Sequence, residues 1–382
     1  MRKLAVPIAC LLGFALLAPA SAAPLDRGPV PDGYGSKNVK YIKLVQDEQL
    51  HGIGGRLVGH YLYVTSAKTI TIYDVSKPLD PKLESRTYIG AGWENEDVAT
   101  NGKILIFADT RPNLLRVYDV EDKTNPKEIA DLPNAASHTD ECLFDCTWLY
   151  GSDGLIVDLR KPTAPKLETV KWTDHTMFKT SVYPSHDLNE LRPGILLASS
   201  NPMLLLDARQ NILRPKILAQ GSPGDTRFIH SAMWAQHGRD PLMMSAGETN
   251  GTPRCEVGSA AFMTWDASSW KTTHTFHLLD QFQLHNGTET DVNPPANGMG
   301  CSTHWFEPNE TFKDGGVVAL GAYDHGTRFL HIDSDGKIKE IGRFLPVAAE
   351  TSAVHWITDR IVYSIDYTRG IDILKYTGPL DN

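Results

Sequence analysis

Six histidines recur at comparable places along this chain: His51, His138, His186, His230, His304 and His355. Acidic residues accompany them, with Glu96 and Asp97 in the one stretch that lacks a histidine, and Asp140, Glu141 and Asp187 beside His138 and His186. Imidazole is largely neutral near pH 7, and its ring nitrogens are good ligands for late transition metals. Carboxylates nearby orient the rings and tune the ion. His186, His230, His304 and His355 are therefore candidate ligands for copper, iron or zinc. His304 and His355 sit in the similar settings Ser-Thr-His-Trp and Ala-Val-His-Trp. Glu96, Asp97, His138, Asp140 and Asp187 complete a candidate polar lining. A metal-free polar pocket and a purely structural role, with side chains satisfying backbone groups at strand ends, are the competing readings. The chain has no Gly-x-Ser-x-Gly elbow, no His-Glu-x-x-His, no phosphate loop and no Gly-x-Gly-x-x-Gly.

These residues need a scaffold that brings distant segments to one axis, and the chain repeats itself in a way that supplies one. Ile72-Tyr-Asp-Val-Ser-Lys-Pro-Leu-Asp-Pro-Lys82 returns as Val117-Tyr-Asp-Val-Glu-Asp-Lys-Thr-Asn-Pro-Lys127 and as Ile156-Val-Asp-Leu-Arg-Lys-Pro-Thr-Ala-Pro-Lys166. Apolar runs ending on aspartate stop at Asp74, Asp119, Asp158, Asp207, Asp266 and Asp333, 39 to 67 residues apart, and a seventh carries Lys375 instead. Most follow a second apolar run across a turn, as Tyr61–Val64 or Ile361–Tyr363. A strand-rich unit repeating at this period predicts an all-β fold, a seven-bladed β-propeller with four-stranded blades. The last unit lacks a fourth strand, whereas the β-prone Asn38–Val45 precedes the first unit and is spare. That strand is expected to close the last blade and remove two free edges. In a propeller the first strand of each blade lines the central channel. Side chains alternate across a strand, so the offsets of one or two residues among the histidines predict that some face away from it.

The strand Leu155-Ile-Val-Asp158 with its Pro-Lys turn, and the copies like it, resemble the LVIVD-repeat proteins, a group of exported bacterial β-propellers. His138–Cys142, Asn201–Asp207 and Gly300–Pro308 are similar to segments of actinobacterial members. The resemblance spans nearly all of the mature chain. It implies the propeller fold and no common reaction.

Arg2 and Lys3, the apolar Leu4–Leu17 and the small Ala20-Ser21-Ala22 read as a signal peptide over residues 1–22. Residues 23–37, rich in Pro, Gly and Ser, read as a disordered lead-in, and 38–382 as a single propeller domain. The expected location is extracellular, as a secreted protein. Without Arg2 and Lys3, 35 basic side chains face 46 acidic ones. That balance excludes nucleic acid and an anionic membrane surface as partners. No later run is long enough to insert into a membrane. Cys142, Cys146, Cys255 and Cys301 remain in an oxidising compartment, and disulfides Cys142–Cys146 and Cys255–Cys301 are expected. The function expected is binding of a small ligand or extracellular protein partner at a His/Asp-lined channel. The alternative is a metal-dependent oxidoreductase or hydrolase acting on a small molecule there.

Overall fold

The computed structural model describes residues 33–46, 52–90, 95–175, 183–248, 255, 261–284, 300–347 and 349–380. The signal segment, most of the lead-in and His51 lie outside them.

Seven antiparallel sheets follow one another along the chain. Blade 1 has strands Gly52–Val58, Tyr61–Ser66, Thr69–Asp74 and Lys82–Tyr88. Blades 2 to 5 run from innermost strands Ala99–Thr100, Asp140–Leu143, Tyr183–Arg192 and Ile229–Met233 out to Lys127–Pro133, Lys166–Leu167, Lys216–Gly221 and His277–Gln283. Blade 6 starts at Phe306–Pro308 and reaches Ile338–Pro346. Blade 7 comprises Thr351–Trp356, Ile361–Asp366 and Gly370–Tyr376, with Val39–Gln46 as its outermost strand.

The spare N-terminal strand therefore closes the ring as the sequence predicts, in a register running from Val39↔Tyr376 to Gln46↔Gly370. The seam between blades 7 and 1 is also bonded, Ser352 Oγ donating to the Ile53 carbonyl. Within the stretch read as a lead-in, Gly33–Gly35 pairs with Phe344–Pro346 as a fifth strand on blade 6. The chain then turns at Ser36, whose N–H donates to Arg343 O, and enters blade 7.

The repeated aspartate has one local job. Asp74, Asp119, Asp158, Asp207, Asp266 and Asp333 each accept the backbone N–H two residues on, at 2.8–3.0 Å. This is the Asx turn that starts the link to the outermost strand. Apolar residues of neighbouring sheets interdigitate between blades, as Val64 of blade 1 with Tyr363 and Ile365 of blade 7. The core is thus a set of inter-blade layers around the axis.

Both disulfides form as expected. Cys142 and Cys146 close a turn, Cα atoms 4.4 Å apart, in which Phe144, Asp145 and Cys146 all have positive φ. Cys255 and Cys301 are joined across a sequence separation of 46, their Cα atoms 5.2 Å apart.

Candidate functional site

Blades 2 to 6 each send a side chain to one point on the axis. Glu96 is the hub. His230 Nε2 lies 3.0 Å from its carboxylate, His304 Nε2 3.5 Å, His138 Nε2 3.6 Å and His186 Nε2 3.9 Å. The same ring nitrogen converges in all four. His230 and His304 are fully buried, and the His186–His230 and His230–His304 ring centres are both 3.9 Å apart. Gly54 of blade 1 allows Glu96 into this place, because a Cβ there would sit 1.6 Å from the Glu96 carbonyl oxygen.

The positioning follows from where these residues stand on their strands. His138 precedes the strand Asp140–Leu143, and His304 precedes Phe306–Pro308. His186 lies where the register shifts between Tyr183 and Asp187, and His230 where it shifts between Ile229 and Ser231. Bulges and strand ends re-aim side chains, so alternation does not govern them. His355 is different. It pairs with Tyr363 next to the far end of the strand Thr351–Trp356, and the residue of blade 7 at the register shift near the leading end, between Thr351 and Ala353, is Ser352. The shared His-Trp setting of His304 and His355 hides a shift along the strand. His355 does not join the Glu96 group, and its Nδ1 lies 3.7 Å from Glu307 Oε2.

Proton positions are constrained at His304. Its Nδ1–H donates to Ser352 O at 2.8 Å, leaving Nε2 toward the centre, 2.7 Å from the Tyr323 hydroxyl. That hydroxyl also bonds Glu248 Oε1 at 2.9 Å. Burial opposes charge on Glu96, yet His304, His138 and His230 hold its carboxyl well below the usual range. Burial, with neighbouring histidines, pushes His186 and His230 down. Burial also works against His304, but Glu96, Glu248 and the Ser352 carbonyl carry it above the ordinary value.

Beside this group lies a chamber of about 210 Å³ lined by Arg56, Glu96, Asp97, Asp187, Trp305, Glu307 and His355 among others. Among the described residues, Arg56 is its one lysine or arginine. It donates to Asp97 Oδ1 at 3.1 Å and Glu141 Oε2 at 2.5 Å. Asp97 is nevertheless lifted to about 7, because desolvation and the Glu141 charge outweigh Arg56. Asp187 is raised by burial, Asp97 and Glu141. Burial lifts Glu307 to about 7 and depresses His355 to about 4, where Arg56 adds to the effect. Asp140 does not line the chamber. It is buried with neither carboxylate oxygen hydrogen-bonded, and burial beside Asp153 and Asp97 raises it well above the usual range.

Sequence reasoning missed Arg56, Tyr323 and Glu307. Arg56 carries a signal, as the one basic residue on an innermost strand otherwise made of Gly, Ile, Leu and Val. Tyr323 and Glu307 carry none.

The donor set suits a late transition ion. Ligands about 2.1 Å from one ion stand roughly 3.0–3.6 Å from one another, close to the spacings here. Two overlapping triads, Glu96/His186/His230 and His230/Glu248/His304, have donor atoms within 4.8 Å of each other. A third group, Cys255/Cys301/His325, is ruled out as a cation site by its disulfide.

No model of a known protein family matches the chain, and no curated protein does. Among solved structures it is similar to the Cps50 (Swd1) β-propeller domain of Myceliophteria thermophila, with 14% identity and TM-score 0.60 over 88% of this chain and 99% of that one. It is also similar to Raptor of Chaetomium thermophilum, with 14% identity and TM-score 0.58 over 89% of this chain and 29% of that one. Among the described residues no helix is long and apolar enough to cross a membrane. At this identity the likeness speaks for the fold alone, and it establishes the chain as a β-propeller.

Proposed function

We propose that this is an exported propeller of the LVIVD-repeat kind that captures a small ligand at its axis through a late transition metal. His138, His186, His230 and His304 would hold the ion with Glu96. The observation that carries the reading is the convergence of four Nε2 atoms on one buried carboxylate. Burial favours the neutral imidazole at His186 and His230, the form that ligates. The Nδ1–H to carbonyl bond of His304 is the usual support for a ligating histidine. When bound, the ion would act as a Lewis acid toward a ligand oxygen, nitrogen or sulfur. The chain's own contribution is to orient that ligand in the chamber beside Glu96. The test is elemental analysis of protein purified without chelators, followed by titration of metal-free protein with copper, iron and zinc salts. One equivalent of bound metal is expected. If none of the three binds at stoichiometry, the reading fails.

The chamber favours a second reading, a metal-dependent oxidoreductase or hydrolase. Glu307, with its carboxyl near 7, is suited to exchange a proton with a small molecule lodged between it and Glu96. Turnover of small substrates by metal-loaded protein, lost in Glu307→Gln with metal retained, would move the assignment to an enzyme.

A further inference from the structure

The innermost strands of blades 4 and 5 have a second end, away from His186 and His230, and it carries an unrelated set of side chains. Arg192 closes the strand Tyr183–Arg192, and Trp234 follows Ile229–Met233. Together with Arg239, Asp240, Ser268, Trp270 and Lys271 they line an open pocket of about 520 Å³.

Three cations line this pocket. Among the described residues no carboxylate forms an ion pair with Arg192, Arg239 or Lys271, in a chain of net charge −9. Asp240 also lines the pocket, and its oxygens accept the N–H groups of Leu242 and Asp314 at 2.9 and 2.8 Å rather than pairing with a cation. Asp207 is taken by Arg209 at 2.9 and 2.7 Å. Burial, then Arg239 and Arg209, depress the Arg192 guanidinium, and Asp207 works the other way.

Arg192 is also held in place, at a cost in backbone strain. Its Nη1 donates to His237 O at 2.9 Å. That carbonyl is presented by a turn in which Gln236 and His237 are left-handed, with φ of 53° and 56°. Non-glycine residues rarely adopt this conformation. Gly238 follows at φ 72°, and a Cβ there would lie 3.0 Å from Arg192 Nη1. With Nη1 committed, the Nε–Nη2 edge of the guanidinium remains, and that edge takes an oxyanion by two parallel hydrogen bonds.

We propose that this pocket is an oxyanion-binding site, taking the phosphoryl group of a small ester or of an anionic polymer on Arg192, with Arg239 and Lys271 completing the clamp. It lies at the opposite ends of the strands from the histidine group and needs no metal.

Calorimetric titration of metal-free protein with glycerol phosphate and with polyphosphate tests it. Saturable binding is expected, weakening as salt rises and at least tenfold weaker in Arg192→Gln. Arg239→Gln and Lys271→Gln, on exposed side chains, are expected to weaken it severalfold with the fold intact, so a misfolded Arg192 variant cannot decide the matter. Tighter binding of polyphosphate identifies a polymer as the source, and equal binding per phosphoryl group identifies a small ester. Absence of saturable binding for both probes, or unchanged affinity in the Arg239 and Lys271 variants, overturns the proposal.

Discussion

His304 Nδ1 donates to the backbone carbonyl of Ser352, one blade further round the ring, across 2.8 Å. Ser352 stands at the register shift between Thr351 and Ala353 in blade 7's innermost strand, and its backbone orients a ring that belongs to blade 6. The proposed metal site is thereby fixed by a blade that gives it no ligand. His230→Ala and His304→Ala are each expected to lower metal affinity by a hundredfold or more and to leave the far-ultraviolet spectrum unchanged. His355→Ala is expected to retain one equivalent of metal by elemental analysis. Loss of metal in His355→Ala, or its retention in His304→Ala, would contradict the assignment.

Glu307 ties stability to pH. Its carboxyl is lifted in the fold to about 7 from an ordinary value of 4.5, so the folded protein holds a proton that the unfolded chain releases. Its contribution is fully present below about 4.5 and is lost as pH rises toward 7. Glu307→Gln should remove that loss, with a gain of about 1–2 kcal/mol at pH 8 and little change at pH 4.5, allowing for partial exposure of the side chain. Denaturant melts at the two pH values give the comparison. An equal effect at both would show that Glu307 does not titrate between them.

His355 shifts the other way. Its ring is depressed to about 4 by burial and then by Arg56, so the fold favours the neutral form. That contribution is complete above about 6.5 and disappears as pH falls toward 4. In His355→Gln the decline in stability between pH 6.5 and 4 should be shallower than in the unaltered protein, as read by thermal melts across that range. An unchanged slope would place the acid sensitivity elsewhere.

The two disulfides close loops of very different length, with sequence separations of 4 and 46. Loop-closure entropy gives about 2 kcal/mol for the short bond and about 4 kcal/mol for the long one. Replacing Cys255 and Cys301 with serine should therefore destabilise more than replacing Cys142 and Cys146. Chemical unfolding of the two double variants checks the order, and non-reduced peptide mapping checks the pairing.

Removal of residues 38–46 exposes the edge of Gly370–Tyr376 and uncovers Leu374 and Tyr376, which pack against Val39 in the full chain. The unfolding midpoint is expected to fall by roughly 10 °C or more, since each kcal/mol is worth about 2–4 °C at this size or somewhat less. A midpoint within 2 °C of the full-length value would mean the strand adds nothing.

The blade count was legible because one residue in six of the seven units has a local task. The aspartate at Asp74 and its equivalents starts a turn and recurs with it. The closing strand was legible from a deficit at one end and a surplus at the other. The axis was legible only in part. Alternation holds within a ladder, but His186 and His230 stand at register shifts and His138 and His304 before their strands begin, where the rule has no force. The similar settings of His304 and His355 misled because adjacent residues do not report how far along the strand a motif sits. Arg56 and Glu307 owe their roles to burial beside other blades, which no local pattern encodes.

The pairing of Val39–Gln46 with Gly370–Tyr376 also bears on how the molecule is assembled. Asn38 and Thr377 are bonded across 339 positions, so Val39–Gln46 must wait for a partner strand made far later in the chain. Bringing such distant segments together carries a large loop-closure entropy and makes this contact slow to form. Until it forms, blade 7 is a three-stranded sheet with an open edge, and its complement trails from the other end of the same chain. Two unfinished molecules can satisfy each other's edges as readily as their own. Ring closure is therefore the step at which crowded chains would exchange N-terminal strands and emerge as domain-swapped dimers.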